Sequence, residues 1–321
     1  MKKYFLTQSL ALTLFCFGVN AASWHSPETE NPLIAMKSVS LGKIPSTQTL
    51  VYEMTDKYAK GDKTSLQDTL GQENLYTSEI IRISATEQTA GVGQHGRTWQ
   101  SPPGNVYVTY LFPWPEDKMP LGFFVPQVTT VSMAQTAQSF DLGDAKVELK
   151  WINDFLLNGK KSGGVLCKSQ GVMPFFEGDA VSERRHNALV VGIGINVNMD
   201  ADVAQERFDY LEDSMKIPFT SLRIETGREF SVEEVLSRLT QNLVRNYRKL
   251  LNEEKSFEET FSPFLNMVLA YRGKPVVYMD TGESTQTNYT LVEIDGKGQA
   301  VLEDEEGNRV TKLSGRVRLR D

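Results

Sequence analysis

The stretch "TAGVGQHGRTWQSPPGNVY", residues 89–107, decides between two fold classes. Three of its four glycines, Gly91, Gly93 and Gly96, have the G-x-G-x-x-G spacing of a dinucleotide-binding turn, which requires a helix directly after the third glycine. Here Pro102 and Pro103 come next, followed by a strand-like segment, and they cannot form the helix N-terminus that holds a pyrophosphate. The sequence therefore argues against a nicotinamide-binding Rossmann fold. It predicts a glycine-rich loop between two strands, whose backbone amides can approach a phosphate closely.

The size and charge of the whole chain are those of a globular enzyme. It has 321 residues, 40% hydrophobic and 23% charged, enough to bury a substantial core. A net charge of −7 disfavours sequence-independent binding along phosphate backbones, so we expect no nucleic-acid partner. The two cysteines show no metal-binding spacing.

The N-terminus, residues 1–35, has the composition of a leader and linker. "MKKYFLTQSLALTLFCFGVNAAS" joins two lysines, an apolar stretch and a small-residue ending, as a secretory signal does. An alternative is that these residues extend upstream of a true start at Met36. Residues 24–35 are polar and contain two prolines, which is typical of a linker.

The pattern of the remaining chain predicts an α+β fold with a mixed sheet. A first strand leads to a helix capped by Ser46 or Thr47 and stopped at Gly61. Further strands are predicted at 78–88, 105–113, 145–151, 162–169 and 187–198, and further helices at 125–140 and 232–255. Asn158-Gly159 has the composition of a hairpin turn between 145–151 and 162–169. The tail, 264–321, alternates short strand patterns with turns, which predicts a small β-barrel.

Several motifs in a fixed order make the prediction specific. "PSTQ" at 45–48 precedes the glycine loop, which is followed by "KWINDFLLNGKKSGGVL" at 150–166, "VVGIGINVN" at 190–198 and "TSLRIETG" at 220–227. This order resembles the catalytic domain of biotin protein ligases, or holocarboxylase synthetases, over roughly residues 43–230. The tail ending "SGRVRLRD" is similar to the C-terminal domain of that family.

The resemblance implies an architecture and a reaction. The fold would be related to class II aminoacyl-tRNA synthetases, with a catalytic domain at 36–262 and an SH3-like barrel at 263–321. The reaction would use ATP, with Mg²⁺, to convert biotin to biotinyl-5′-AMP, and would then pass biotin to a lysine of a biotin carboxyl carrier domain. Many bacterial relatives carry an N-terminal winged helix. Residues 1–35 are too few for that module, so we expect no DNA binding.

The resemblance also implies roles for individual residues. The predicted biotin-binding residues are Ser46, Thr47, Gln88, Gly91, Gly93, Lys161 and Gly164. The predicted ATP and adenylate-binding residues are Gly96, Arg97, Trp99, Asn105, Asn153 and Asn196, with Trp99 as the aromatic that stacks on adenine. Helix capping by Ser46 or Thr47 and simple burial of Trp99 are structural alternatives to these roles.

Lys161, Asp154 and Arg97 are the predicted catalytic residues. A lysine at a strand end can direct its ammonium group at the carboxylate of biotin and the α-phosphate of ATP, so that it neutralises charge during attack. Asp154 can hold Mg²⁺ on the triphosphate or act as the base that prepares the acceptor amine; a turn-forming role is its structural alternative. Lys160 has the position of a solvated hairpin lysine.

The glycine loop departs from the family at three positions. The family loop usually reads G-R-G-R with a further basic residue, and this chain has Val92, Gln94 and His95 at those positions, so that only Arg97 remains. Glutamine cannot replace the charge or the bidentate geometry of arginine. If the reaction is intact, either Arg97 and Lys161 carry more of the phosphate binding, or the adenylate is held less tightly. We predict leakage, in which released biotinyl-AMP labels bystander lysines.

Two other functions remain open at this point. One is a degenerate member that binds biotin or its adenylate without turnover, and the other is a lipoate or octanoyl transferase of related fold. The chemistry favours a cytoplasmic protein without stable membrane association, whereas residues 1–22 favour export. A homodimer is one expectation for the oligomeric state.

Overall fold

The computed structural model describes residues 35–209, 217–252, 255–280 and 286–320. The predicted leader therefore lies outside the described residues, apart from its last position. The strands are β1 (Ala35–Ile44), β2 (Glu79–Gln88), β3 (Val106–Pro115), β4 (Val147–Lys150), β5 (Asp154–Leu157), β6 (Lys160–Met173), β7 (Phe176–Glu177), β8 (Ala180–Val181), β9 (His186–Ile195), β10 (Pro275–Met279), β11 (Gln286–Ile294), β12 (Ala300–Glu303), β13 (Arg309–Lys312) and β14 (Arg316–Leu319). The α-helices are α1 (Thr47–Ala59), α2 (Thr64–Leu70), α3 (Val125–Gln138), α4 (Ala201–Asp209), α5 (Leu222–Thr226), α6 (Val232–Asn252), α7 (Phe257–Thr260) and α8 (Ser262–Met267). Two 3₁₀ segments occupy Gln94–Gly96 and Glu116–Phe124.

The large sheet is mixed, as the sequence predicts. Its seven strands run in the order β1-β2-β3-β9-β6-β5-β4. β1 and β2 pair in parallel, and the other neighbours pair antiparallel. The long central strands β3, β9 and β6 form the rigid floor on which the loops at their ends are positioned.

Helices cover both faces of this sheet. On one face α3 and α6 contribute Val128, Met133, Leu239 and Tyr247 to the largest core cluster. On the other face α1 and α2 form a second cluster that includes Met54. The apolar residues of α6 recur at helical spacing, so its buried side follows directly from the sequence pattern.

The turn between β5 and β6 has the predicted chemistry. Asn158 and Gly159 both have positive φ, 49° and 73°, as a two-residue hairpin turn requires. The sequence predicted that the strand at 145–151 directly precedes this turn. That prediction was wrong, because β5 lies between that strand and the turn. All four residues of β5 are buried, so its sequence lacks the alternation that identifies a strand.

The tail forms a five-stranded antiparallel sheet in the order β13-β12-β11-β10-β14, consistent with an SH3-like domain. Contacts link it to the large sheet: the Gly298 carbonyl accepts hydrogen bonds from Gln127 Nε2 at 3.0 Å and Trp151 Nε1 at 3.1 Å. Residues from Ile34 onward group as one compact unit, so the domain boundary at 262/263 stays a prediction. Among the described residues, no helix combines the length and the apolar character that a membrane crossing requires.

Candidate functional site

A cavity of about 540 Å³ opens where the glycine loop, the start of α1 and the ends of β6 and β9 meet. Among the predicted site residues, those that line it are Ser46, Thr47, Gln88, Gly93, Arg97, Trp99, Asn153, Lys161 and Gly164. The volume is that of a typical small-molecule site. Residues separated by more than a hundred positions in the chain are thus brought to one cavity.

Neutral hydrogen-bonding groups form one part of the cavity. Ser46 caps α1, since its hydroxyl accepts from Thr49 N at 3.2 Å. The Gln88 side-chain oxygen accepts from Thr47 N at 2.8 Å, and its amide donates to the Ser101 hydroxyl at 2.9 Å. Thr109 donates to the Thr47 hydroxyl at 2.9 Å from the sheet below. These groups are held in fixed orientations and offer both donors and acceptors to a polar, uncharged ring.

The glycine loop folds back on itself as a short hairpin. Gly93 N donates to Arg97 O at 2.7 Å, and Trp99 N donates to Gly91 O at 2.8 Å. His95 adopts a left-handed conformation with φ 57°. The chain then runs to β3 without a helix, which confirms that the loop is not a dinucleotide-binding turn.

Two glycines of β9 explain the "GIGIN" motif. They lie two residues apart and therefore face the same side of the sheet. A Cβ on Gly192 would overlap the Gln48 amide, and a Cβ on Gly194 would lie 2.6 Å from Trp99 Nε1. Only glycine allows these side chains to pack against the strand, so the motif shapes the cavity floor.

Cationic groups form the other part of the cavity. Lys161 Nζ lies 2.5 Å from Asp154 Oδ1 and 5.7 Å from the Trp99 ring centroid. Lys150 Nζ holds the second Asp154 oxygen at 2.9 Å. Arg97 faces the same region from the glycine loop, and its guanidinium Nε donates to Gln94 O at 3.0 Å.

The electrostatics of this cluster follow from its burial. Burial raises the pKa of Asp154, but the two lysines lower it more, so the pKa lies well below its usual range. Burial lowers the pKa of Lys161, and Asp154 partly offsets that effect. Asp154 is thus a carboxylate that positions Lys161, and a carboxylate with a lowered pKa is a weak proton acceptor.

The surroundings of Asp154 do not fit a resident magnesium site. Both of its oxygens are occupied by lysine ammonium groups, and the described residues contain no group of three or more potential metal ligands. A cation would have to displace two like charges. The predicted role of Asp154 as a Mg²⁺ ligand is therefore not supported by this arrangement.

Other predicted residues lie outside the cavity lining. Asn105 is buried, and its oxygen accepts from the backbone N of Val197, Asn198 and Met199, so it organises the loop after β9. Asn196 is also buried and donates to Thr220 O at 2.9 Å. Gly91 and Gly96 belong to the loop but do not line the cavity.

Sequence reasoning missed several cavity residues, and three of them have informative contacts. Gln48 follows the "ST" pair and donates to Leu166 O at 3.2 Å. Phe219 packs edge-on against Trp99, with ring centroids 6.3 Å apart. Arg207 lies over the Trp99 ring, with its guanidinium carbon 5.3 Å from the centroid. Phe219 directly precedes "TSLRIETG", which was a usable signal, whereas Arg207 belongs to a short polar helix without a motif.

Comparisons with known proteins agree with the motifs. Residues 57–178 match the Biotin/lipoate A/B protein ligase family. The chain is 28% identical to the bifunctional ligase/repressor BirA of Bacillus spizizenii over 73% of this chain and 65% of the relative. It is 29% identical to the biotin--[acetyl-CoA-carboxylase] ligase of Paracoccus denitrificans over 71% of this chain and 86% of the relative. The chain thus spans slightly less than two thirds of the Bacillus spizizenii relative.

A solved structure shows the same fold. The biotin protein ligase from Aquifex aeolicus in complex with biotin and ATP superposes with a TM-score of 0.61 at 25% identity, covering 88% of this chain and 98% of that one. The predicted resemblance and the predicted fold class are confirmed. The chain is similar to the biotin protein ligases in both sequence and architecture.

Proposed function

We propose that this relative of the biotin protein ligases activates biotin with ATP and transfers it to a lysine of a biotin carboxyl carrier domain. The observation that carries the proposal is the single cavity in which fixed neutral donors and acceptors adjoin a cluster of cations. Biotin has the matching composition, since an uncharged ureido ring lies at one end and a carboxylate at the other. The names of the relatives in Bacillus and Paracoccus support the same chemistry.

The neutral part of the cavity would hold the ureido ring. Thr47 and Gln88 are already oriented by hydrogen bonds to each other, to Ser101 and to Thr109. A ring that exchanges hydrogen bonds with such fixed groups loses little further side-chain freedom on binding. Gly164 and Gly93 would let the rest of biotin approach the backbone.

The cationic part would support the first step. A carboxylate oxygen of biotin attacks the α-phosphorus of ATP, the bond between that phosphorus and the α,β-bridging oxygen breaks, and pyrophosphate leaves with the electron pair. Lys161 would stabilise the charge on the carboxylate and on the phosphoryl oxygens, with Arg97 as a second cation. The solved Aquifex relative holds biotin and ATP together, which supports a shared site of this kind. We propose that Mg²⁺ arrives as part of the nucleotide substrate.

The second step would use the acyl-adenylate. The neutral amine of the acceptor lysine attacks the acyl carbon, an amide bond forms, and AMP leaves; the amine proton passes to solvent. Trp99 and Asn153 lie in the cavity wall where they can contact the adenylate. The carrier domain is the proposed partner because it presents such a lysine.

Two adjacent lysines provide a matched test. Lys161 lines the cavity, whereas Lys160 is 44% exposed and pairs with Glu225 at 3.1 Å. We expect biotin-dependent release of pyrophosphate from ATP, followed by label transfer to a purified carrier domain. Lys161→Gln should abolish both steps, and Lys160→Gln should retain them.

The same assay separates the alternative functions. Lipoate and octanoate replace biotin in parallel reactions. Pyrophosphate release with those acids alone would assign the chain to the lipoate branch, and release with none of them would leave a binding protein without turnover. Either result would refute the proposed ligase reaction.

A further inference from the structure

Arg207 occupies an unusual position in the wall of the cavity. It lies near the end of α4, and only 4% of the residue is exposed. Its guanidinium group lies over Trp99 and Phe219, with its carbon 5.3 and 5.7 Å from the two ring centroids. Nη1 donates to Asn196 Oδ1 at 2.9 Å. One donor of the group is therefore satisfied, and the planar head is clamped against aromatic surface.

The remaining donors make no hydrogen bond of good geometry, although the Tyr107 hydroxyl lies near enough to interact with the guanidinium group. Arg207 Nε and Nη2 are buried and make no hydrogen bond among the described residues, and the same holds for Trp99 Nε1. Among the described residues no carboxylate interacts with Arg207, although the exposed Glu206 also lines the cavity. Burial lowers the pKa of Arg207, and Tyr107 partly offsets this effect. An arginine nevertheless stays charged in proteins.

A buried cation without a counter-ion is costly unless another group compensates for it. Nε and Nη2 form one edge of the guanidinium plane, and that edge matches two oxygens of a phosphate or a carboxylate. Arg207 and Trp99 both line the cavity, so a ligand bound there lies beside this guanidinium group. An oxyanion of a ligand is thus the missing partner.

We propose that Arg207 binds an anionic oxygen group of the substrate in this cavity, either a nucleotide phosphate or a carboxylate. The identity of this substrate rests on the proposed function. Binding of an anion at Arg207 can nevertheless be measured in a chain that has no catalytic activity. Together with Lys161 and Arg97, Arg207 makes the cavity a three-cation site, supplied by three separate elements of the fold.

Two ligand pairs test the proposal, each differing in one anionic group. AMP and adenosine differ in the phosphate, and biotin and biotinol differ in the carboxylate. Affinities are measured by calorimetry for the full chain and for Arg207→Gln and Arg207→Lys. The matched control is Arg223→Gln, because Arg223 is half-exposed, pairs with Asp200 at 2.9 Å and does not line the cavity.

The anion preference of each pair is the ratio of the two affinities, AMP over adenosine or biotin over biotinol. We expect Arg207→Gln to reduce at least one of these two ratios by about tenfold or more, since a charge-assisted hydrogen bond contributes about that much. A loss for AMP would identify phosphate, and a loss for biotin would identify carboxylate. Adenosine and biotinol should bind as they do to the unmodified chain, and Arg207→Lys should recover part of the preference.

Several results would overturn the proposal. One is an unchanged pair of preferences in a folded Arg207→Gln variant, and another is equal weakening of all four ligands, which indicates a purely structural role. Failure of both Arg207 variants to fold, while Arg223→Gln folds, would assign Arg207 to the core. A loss of anion preference in a chain that releases no pyrophosphate would refute the ligase reaction and leave the anion site established.

Discussion

Replacing Asp154 with asparagine tests how the cavity holds Lys161. In the folded chain one carboxylate neutralises two ammonium groups, at 2.5 and 2.9 Å, and the three side chains are only 12–18% exposed. Asp154→Asn leaves two poorly hydrated cations side by side. Removing one partner of such a buried group costs about 3 kcal/mol of unfolding free energy. Because Lys161 also loses its fixed position, we expect adenylate formation to slow by about 100-fold.

The pH dependence provides a sharper readout than the rate. Burial lowers the pKa of Lys161, Asp154 raises it, and Lys150 lowers it further. A lysine is charged below its pKa, so the activation step should fail above that value. Asp154→Asn should move this alkaline limit to lower pH, and Lys150→Met should move it to higher pH. The opposite directions distinguish electrostatic control of Lys161 from general damage.

The assay is single-turnover formation of biotinyl-AMP across an alkaline pH series, without acceptor, so that titration of the acceptor amine does not contribute. Urea unfolding of the same variants gives the loss of stability. Shifts of both alkaline limits in the same direction, or an unchanged limit in a folded Asp154→Asn variant, would refute the reasoning.

Three further predictions concern acid stability, packing and retention. The pKa of Asp154 is lowered, so its contribution to stability is present above the ordinary carboxyl value of about 4 and is lost as the pH falls toward the lowered value; urea unfolding at a series of pH values should show this acid loss, and Asp154→Asn should lack it. Gly194→Ala should weaken nucleotide binding at least tenfold in fluorescence titration because its Cβ would meet Trp99, whereas Gly171→Ala, with no atom within 4 Å, should bind normally. Leakage of biotinyl-AMP should biotinylate bystander proteins mixed with the carrier domain, and Gln94→Arg should reduce that labelling; label confined to the carrier would contradict this expectation.

The elements with clear periodicity were predictable, and those without it were not. The helix at 232–252 and the strand at 186–195 follow patterns that the sequence displays directly. The short strand Asp154–Leu157 is buried at every position, so nothing distinguishes it from a turn or a helical segment. The helix at 201–209 was also missed because it is short and polar, with only two buried residues.

The site was predictable where a residue lies in a motif and contacts the cavity directly. Lys161, Thr47, Gln88 and Trp99 all meet both conditions. Asn105 lies in a matching position, but its amide is used by the backbone of another loop, which the sequence cannot show. Hydrogen-bond partners that are distant in the chain depend on tertiary packing. Motif position therefore identified residues near the cavity, but it did not distinguish those that line the cavity from those that support it.

The two buried cations of the cavity differ in what a ligand must do to reach them. Lys161 already has an anionic partner. A substrate oxygen must therefore compete with the Asp154 carboxylate for the Lys161 ammonium group. Among the described residues Arg207 has no carboxylate partner, so the cost of burying its charge is present before any ligand binds. An anion at Arg207 therefore strengthens binding of the substrate in its ground state. Lys161, in contrast, can stabilise the negative charge that builds up on the phosphoryl oxygens in the transition state. We expect substitutions of Arg207 to act mainly on dissociation constants and KM, and substitutions of Lys161 to act mainly on kcat. The reverse division would contradict this assignment of the two cations.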